Sequence, residues 1–165
     1  MEISVRNRQR AIRTGISGIE GVLKSALRHL SSDRRIKGRN LASGLSFDPE
    51  KATLGVVLVS DNEMRKLNLA YRGKDSTTDV LSFSQIEGPG ISCETVELGD
   101  IVISPAQASR QAAERGVSPV QEIRILLIHG LLHLMGYDHE KSGYHQRKMR
   151  NKEKELLHAI KKVGR

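Results

Sequence analysis

Six of the 165 residues are histidine, and three of these, His129, His133 and His139, stand four and then six positions apart. The segment leading into them, Val120 to Leu134, carries Ile123, Leu126, Leu127, Leu131 and Leu134 at helical intervals. That periodicity predicts a helix. Four residues is about one turn, so the His129 and His133 imidazoles share a face. Gly136 accepts φ > 0 and can end the helix, letting the chain fold back and bring His139 to the other two. Three neutral imidazoles with no fourth protein ligand make a divalent-metal site with an open position, the arrangement of catalytic rather than structural zinc. Such an ion lowers the pKa of its water toward about 7 and acts as a Lewis acid. Two histidines four apart are, by themselves, usually a surface pair or a satisfied core contact. The third histidine, after a glycine turn, is what points to metal. His29, His145 and His158 have no such company.

The H-x3-H-x2-G-x2-H spacing also occurs in metzincin peptidases, where Glu follows the first histidine as general base. Here that position is Gly130, so the clasp is present and the peptidase base is missing. Asp138 either orients a histidine or faces solvent. Glu122, about two turns before His129, reads as a first-turn carboxylate that favours the helix dipole. No residue stands out as a general base.

The elements that must position these groups follow from pattern. Glu2 to Val5 alternates like a strand, and Ile16, Ile19, Leu23, Leu27 and Leu30 trace an amphipathic helix. Ser31 to Ser46 has no periodicity and reads as loop. Ala52 to Val59 is β-branched and nearly continuous, hence a central strand. Ser60 to Glu63 is a capping box opening a helix through Tyr71. Asp79 to Gln85 and Leu98 to Ile103 read as strands, with a loop from Ile86 to Val96. Ser104-Pro105 and Ser118-Pro119 each pair an N-cap with a first-turn proline. Asp100 and Ser104 therefore read as turn and capping residues. Tyr144 to Val163 is a basic amphipathic helix. The expected fold is α+β: a layered, four-stranded mixed sheet packed with about five helices, the metal site lying at the end of a central helix.

The length suits a single domain, 1–165. No apolar run reaches a membrane span and no leader precedes a cleavage site, so no membrane partner is expected. The single cysteine, Cys93, has no disulfide partner within the chain, in keeping with a reducing cytoplasm. The net charge of +8 is uneven. Residues 1–40 carry ten Lys/Arg against three Asp/Glu and residues 141–165 nine against two, each +7, while the middle carries eight against fourteen, −6. Two basic ends flanking an acidic centre point to a polyanion, nucleic acid first. With no Trp, two Phe and three Tyr, binding should rest on phosphate contacts more than on base stacking. Arg34, Arg35, Lys37 and Arg39 form the densest cluster of candidates for such contacts.

Three ordered stretches together resemble one family. His129-Gly-Leu-Leu-His133-Leu-Met-Gly-Tyr-Asp-His139 is similar to the signature of the YbeY-type bacterial endoribonucleases. Asn68-x-x-Tyr71-Arg72-Gly73-Lys74-Asp75-x-x-Thr78-Asp79-Val80-Leu81-Ser82-Phe83 resembles their second motif, and Leu98 to Ser104 their third. The resemblance implies one zinc ion per chain on His129, His133 and His139, with Arg72 facing the site and Lys74 close by in the same motif. It implies cleavage of single-stranded RNA, a part in ribosomal RNA maturation at the small-subunit 3′ end and in ribosome quality control, and hence ribosomal RNA and the small subunit as partners. Ser84 stands where many family members have Pro, which should loosen the strand exit. In the implied chemistry either metal-bound water attacks or the metal polarises the phosphodiester, and Arg72 clamps the phosphate with a fork of donors that Lys cannot reproduce. The competing expectations are a metallopeptidase-like hydrolase and a non-catalytic, zinc-containing RNA-binding assembly protein.

Overall fold

The structure of the chain, a computed structural model, describes residues 1–10, 18–32, 48–86, 95–137 and 142–163, with side chains to Ile160. Strands β1 (Glu2–Asn7), β2 (Ala52–Leu58), β3 (Val80–Ser84) and β4 (Val96–Ile103) form one mixed sheet in the order β1-β2-β4-β3. β1 and β4 run parallel to β2, and β3 closes one edge antiparallel to β4. The expected central strand is therefore central, with β4 beside it. Among the described residues five α-helices accompany the sheet, α1 (Ile19–Ser32), α2 (Asp61–Arg72), α3 (Pro105–Arg115), α4 (Pro119–Leu134) and α5 (Gly143–Val163), and a short 3-10 helix, Pro49–Lys51, leads into β2.

Alternation along β2 sends Leu54, Val56 and Leu58 into the main core, where Ile3, Leu98, Ile101 and Ile103 join them from the neighbouring strands. α1 covers this face with Leu23, Leu27 and Leu30, α4 with Leu127, Ile128, Leu131 and Leu132, and α5 with Met149 and Leu156. On the opposite face Val59, Leu81 and Val102 pack with Met64 of α2. Burying each large aliphatic side chain is worth about 1.5–3 kcal/mol. α4 is buried on so many sides that packing, more than helix propensity, sets where its histidines lie.

Several boundaries differ from expectation. Ser31 and Ser32 finish α1 rather than opening a loop, and the Ser31 hydroxyl donates back to the Arg28 carbonyl at 2.8 Å. The rest of that expected loop, with Arg34, Arg35, Lys37 and Arg39, lies outside the described residues, as does Cys93. β4 starts earlier, at Val96, because Val96 and Glu97 pair with Ala52 and Thr53. A register shift follows: Leu54 pairs with Gly99, leaving Leu98 as the extra residue of a bulge. Gly99 takes φ 120°, and a Cβ there would come within 2.0 Å of the Phe83 carbonyl oxygen. Only glycine fits that position.

Ser84 does not leave the strand exit loose. Its hydroxyl donates to the Leu134 carbonyl at 3.2 Å and accepts from the Ile86 N–H at 3.3 Å, tying β3 to the end of α4. Ser104 caps α3 and also donates to Asp61 at 2.6 Å, joining the N-termini of α3 and α2. Burial opposes ionisation of Asp61, but the hydrogen bonds from Ser104 and Arg110 prevail and hold its carboxyl below the usual carboxylate range. Among the described residues, no helix is long and apolar enough to cross a membrane.

Candidate functional site

α4 packs Gly130 against β3 and β4 and places His129 and His133 on a cleft of about 470 Å³. Arg72, Asp79, Ser82, Arg115 and Glu153 share its walls with the two histidines. The His129 and His133 Nε2 atoms stand 3.1 Å apart. Two nitrogens bound to one zinc at about 2.0–2.1 Å in tetrahedral geometry stand roughly 3.3 Å apart, so this pair fits a divalent ion with little adjustment. The other ring nitrogen of His129, Nδ1, lies 2.5 Å from Glu153 Oε1. A carboxylate only accepts, so Nδ1 carries the proton and donates, which leaves the Nε2 lone pair facing the cleft. Carboxylate–histidine pairs of this kind orient metal ligands and raise their basicity.

The third expected ligand, His139, lies outside the described residues, together with Asp138. α4 does end just before Gly136, as expected. Gly136 takes φ 82°, and the Gly136 and Tyr137 N–H groups donate to the His133 and Leu132 carbonyls at 2.9 and 3.0 Å. Tyr137 is then buried. Among the described residues alone, no three His, Cys, Asp or Glu side chains gather as a metal-binding group.

The motif from Asn68 to Asp79 builds the opposite wall. α2 ends at Arg72 because Gly73, with φ 67°, caps it by donating to the Asn68 and Leu69 carbonyls. The buried Asn68 amide donates to the Ser76 carbonyl at 2.8 Å, and Arg65 grips Asp75 through two bonds of 2.7 Å. The Arg65 hydrogen bonds hold the Asp75 carboxyl below its usual range. Asp79 accepts from the Val80 N–H, the Thr78 hydroxyl and the Gln111 amide at 2.8, 3.1 and 3.0 Å. So engaged, Asp79 fixes the entry to β3 and is not an unoccupied base. Arg72 is exposed on the cleft and makes no hydrogen bond or ion pair among the described residues, so its donors are open to a ligand. Lys74 is exposed on the turn beyond it and is not part of the cleft wall.

Two wall residues, Glu153 and Arg115, escaped the sequence reading. Glu153 sits on a helix that reads as basic, 24 residues from its partner. Its one signal is helical spacing with the buried Met149 and Leu156, which puts it on the inward face of α5. Glu122 is a first-turn carboxylate of α4, as expected, and is also wholly buried, accepting from Arg115 Nη1 at 2.6 Å. The pairing turns on a tertiary corner between α3 and α4 that periodicity does not reveal.

Gly130 explains why the peptidase base is absent. A Cβ at this position would lie 2.9 Å from Ile101 Cγ2 and 3.1 Å from Ser82 Oγ. The position faces Ile101 of β4 and Ser82 of β3, so a glutamate there would collide with the sheet. Gly130→Ala should destabilise the protein by about 1–3 kcal/mol in denaturant titrations, because overpacking against a stiff β-branched side chain outweighs the ~1 kcal/mol helix preference for alanine. A stability equal to or above wild type would show that α4 can move off the sheet.

Paired histidine nitrogens and two arginines on one cleft of an α+β protein are the side-chain types that suit a metal ion and an anionic substrate. The comparisons with known proteins narrow this further. The family model described as endoribonuclease YbeY matches residues 6–161, and the chain belongs to that family. It is similar to endoribonuclease YbeY of Thermodesulfovibrio yellowstonii, 35% identical over 161 residues that cover 98% of each chain. Endoribonuclease YbeY of Aquifex aeolicus is 41% identical, over 86% of this chain and 92% of that one. The chloroplastic endoribonuclease YBEY of Arabidopsis thaliana is 49% identical over 108 residues, 66% of this chain but only 18% of that longer protein. Among solved structures, the solution structure of TM1509 from Thermotoga maritima matches with a TM-score of 0.60 and 25% identity, over 96% of this chain and 88% of that one.

Proposed function

We propose that this chain is a metal-dependent endoribonuclease that cuts single-stranded RNA in the cleft beside β3 and α4. Its work lies in the cytoplasm, in ribosomal RNA processing at the small-subunit 3′ end and in ribosome quality control, with the small subunit as partner. His129, His133 and His139 hold one zinc ion per chain. The reading rests on the 3.1 Å approach of the His129 and His133 Nε2 atoms in a cleft shared with Arg72.

When bound, such an ion supplies Lewis acidity toward a phosphoryl oxygen and a lowered pKa for water. The side chains do the rest. Glu153 keeps the proton of His129 on Nδ1 and the ring aimed inward. Arg72 brings a planar fork of donors to the non-bridging oxygens, where charge grows as the phosphodiester is cleaved. Asp79, already accepting three hydrogen bonds, holds the wall in place. Lys74 lies on the turn beyond the cleft wall, and Arg34, Arg35, Lys37 and Arg39 contribute to holding the RNA backbone.

The deciding experiment offers zinc-loaded protein a single-stranded RNA, the same RNA in a duplex, and casein. Cutting of the single strand alone is expected, with one metal per chain by elemental analysis. Casein cleavage would favour a peptidase. Tight metal and RNA binding with no cleavage of any substrate would favour a non-catalytic assembly protein.

A further inference from the structure

Arg115 lines the cleft as Arg72 does, and no role in the site follows for it from the histidine signature. It is the last residue of α3, and its side chain is 55% exposed while that of its partner Glu122 is 0% exposed. One guanidinium nitrogen donates to Glu122 Oε1 at 2.6 Å, and the remaining donors have no partner among the described residues. Taking a carboxylate fully out of water is costly unless a partner compensates it. Here the partner is itself half in solvent and turned onto the substrate cleft. Glu122 thus behaves as a fixed anchor that stiffens a long side chain and leaves much of its fork facing outward.

The neighbours support an anion ligand. The two carboxylates on the same walls are engaged: Asp79 accepts from Gln111, one turn before Arg115 on α3, and Glu153 accepts from His129. The guanidinium groups of Arg72 and Arg115 therefore offer the open charged donors of the cleft walls. Spacing separates their tasks. Glu122 lies two turns before His129 on α4, about 10 Å of helical rise, so Arg115 is anchored along the cleft from the histidines rather than over them. Leu126, between the two on the same stripe of α4, lines the stretch that separates them.

We propose that Arg115, positioned by the buried Glu122, is a second phosphate clamp that binds a phosphodiester neighbouring the one that is cut. The proposal rests on this cleft being where RNA is cleaved. It makes the site read two backbone positions. A strand held at both must lie extended along α4, which a base-paired strand in a helix does not do.

The test compares short single-stranded RNAs with one phosphodiester at a time replaced by a neutral methylphosphonate. With the wild-type protein, neutralising one particular neighbour of the cut position should raise KM about tenfold. In Arg115→Ala that sensitivity should vanish, with KM for unmodified RNA about tenfold higher, kcat affected far less, and the log–log salt slope of binding shallower by about 0.7. Because Arg115→Ala strands a buried carboxylate, the double variant Arg115→Met, Glu122→Leu is measured beside it; it removes both charges and keeps the volume apolar. If either folded variant keeps the wild-type KM, salt slope and methylphosphonate profile, the pair only fastens α3 to α4 and the clamp is wrong. Parallel assays of His133→Ala and Arg72→Lys separate the two levels. If those variants also cut normally, the cleft is not the cleavage site; if they lose activity while Arg115 variants behave as wild type, only the clamp fails.

Discussion

His133→Ala is expected to lose bound metal and RNA cleavage together, with the rate falling at least on the order of 10³-fold. Loss of metal-derived charge stabilisation removes several kcal/mol from the transition state, and each 1.4 kcal/mol is a factor of ten. The substitution leaves the helix intact, since alanine has the best helix propensity and His133 lines the cleft rather than filling the core. Metal content by elemental analysis and unfolding midpoint therefore read out separately from activity. Glu153→Gln is the informative companion. It keeps the size of the side chain but no longer presents a charged acceptor to His129 Nδ1, and metal affinity should weaken about 10–100-fold rather than disappear. Full metal content in His133→Ala, with cleavage unchanged, would place the ion elsewhere and end the assignment of the ligands.

The histidine pair was legible in the sequence because one physical rule, the 3.6-residue turn, both packs Leu127 and Leu131 inward and stacks His129 over His133. β2 and β4 were legible from their β-branched stretches: every second residue of β2 is buried in the core, and β4 ends in the buried run Ile101 to Ile103. The walls around the histidines were not legible. Glu153 and Arg115 reach the cleft from helices whose sequences look like ordinary charged surface, and only the packing of α5 and α3 against α4 gives them partners. Glu122 was legible as a first-turn carboxylate, but nothing local marks the α3–α4 corner that buries it and pairs it with Arg115. The bulge at Gly99 was invisible too. A glycine in a strand pattern says that something approaches closely, but not that the neighbour is the Phe83 carbonyl. The second motif shows the reverse case. Its composition marked a polar turn, and the structure supplies the reason for each residue: Asn68 and Asp75 hold the turn, Gly73 stops the helix, and Asp79 opens the next strand. Arg72 is the one charged residue of that stretch left exposed on the cleft and without a partner among those described.

That unspent fork is the basis of the second large effect: Arg72→Lys should slow RNA cleavage by about 10²-fold, near 2.7 kcal/mol of lost transition-state stabilisation. Lysine keeps the charge, so encounter with RNA and its salt dependence should change little. What it loses is the planar pair of donors that can hold two phosphoryl oxygens at once, a geometry of greatest worth as negative charge spreads over them. The loss should therefore appear in kcat and in kcat/KM alike, the signature of an interaction made in the transition state rather than in the bound ground state. Unfolding cannot account for it. Arg72 forms no hydrogen bond or ion pair among the described residues, arginine and lysine have nearly equal helix propensity, and the cap at Gly73 uses only backbone groups. Single-turnover cleavage under saturating enzyme, with the unfolding midpoint measured on the same sample, separates chemistry from binding and from stability. Near wild-type turnover in the lysine variant would reduce Arg72 to a point charge at the cleft mouth, and the phosphate would then have to be oriented by the metal site alone.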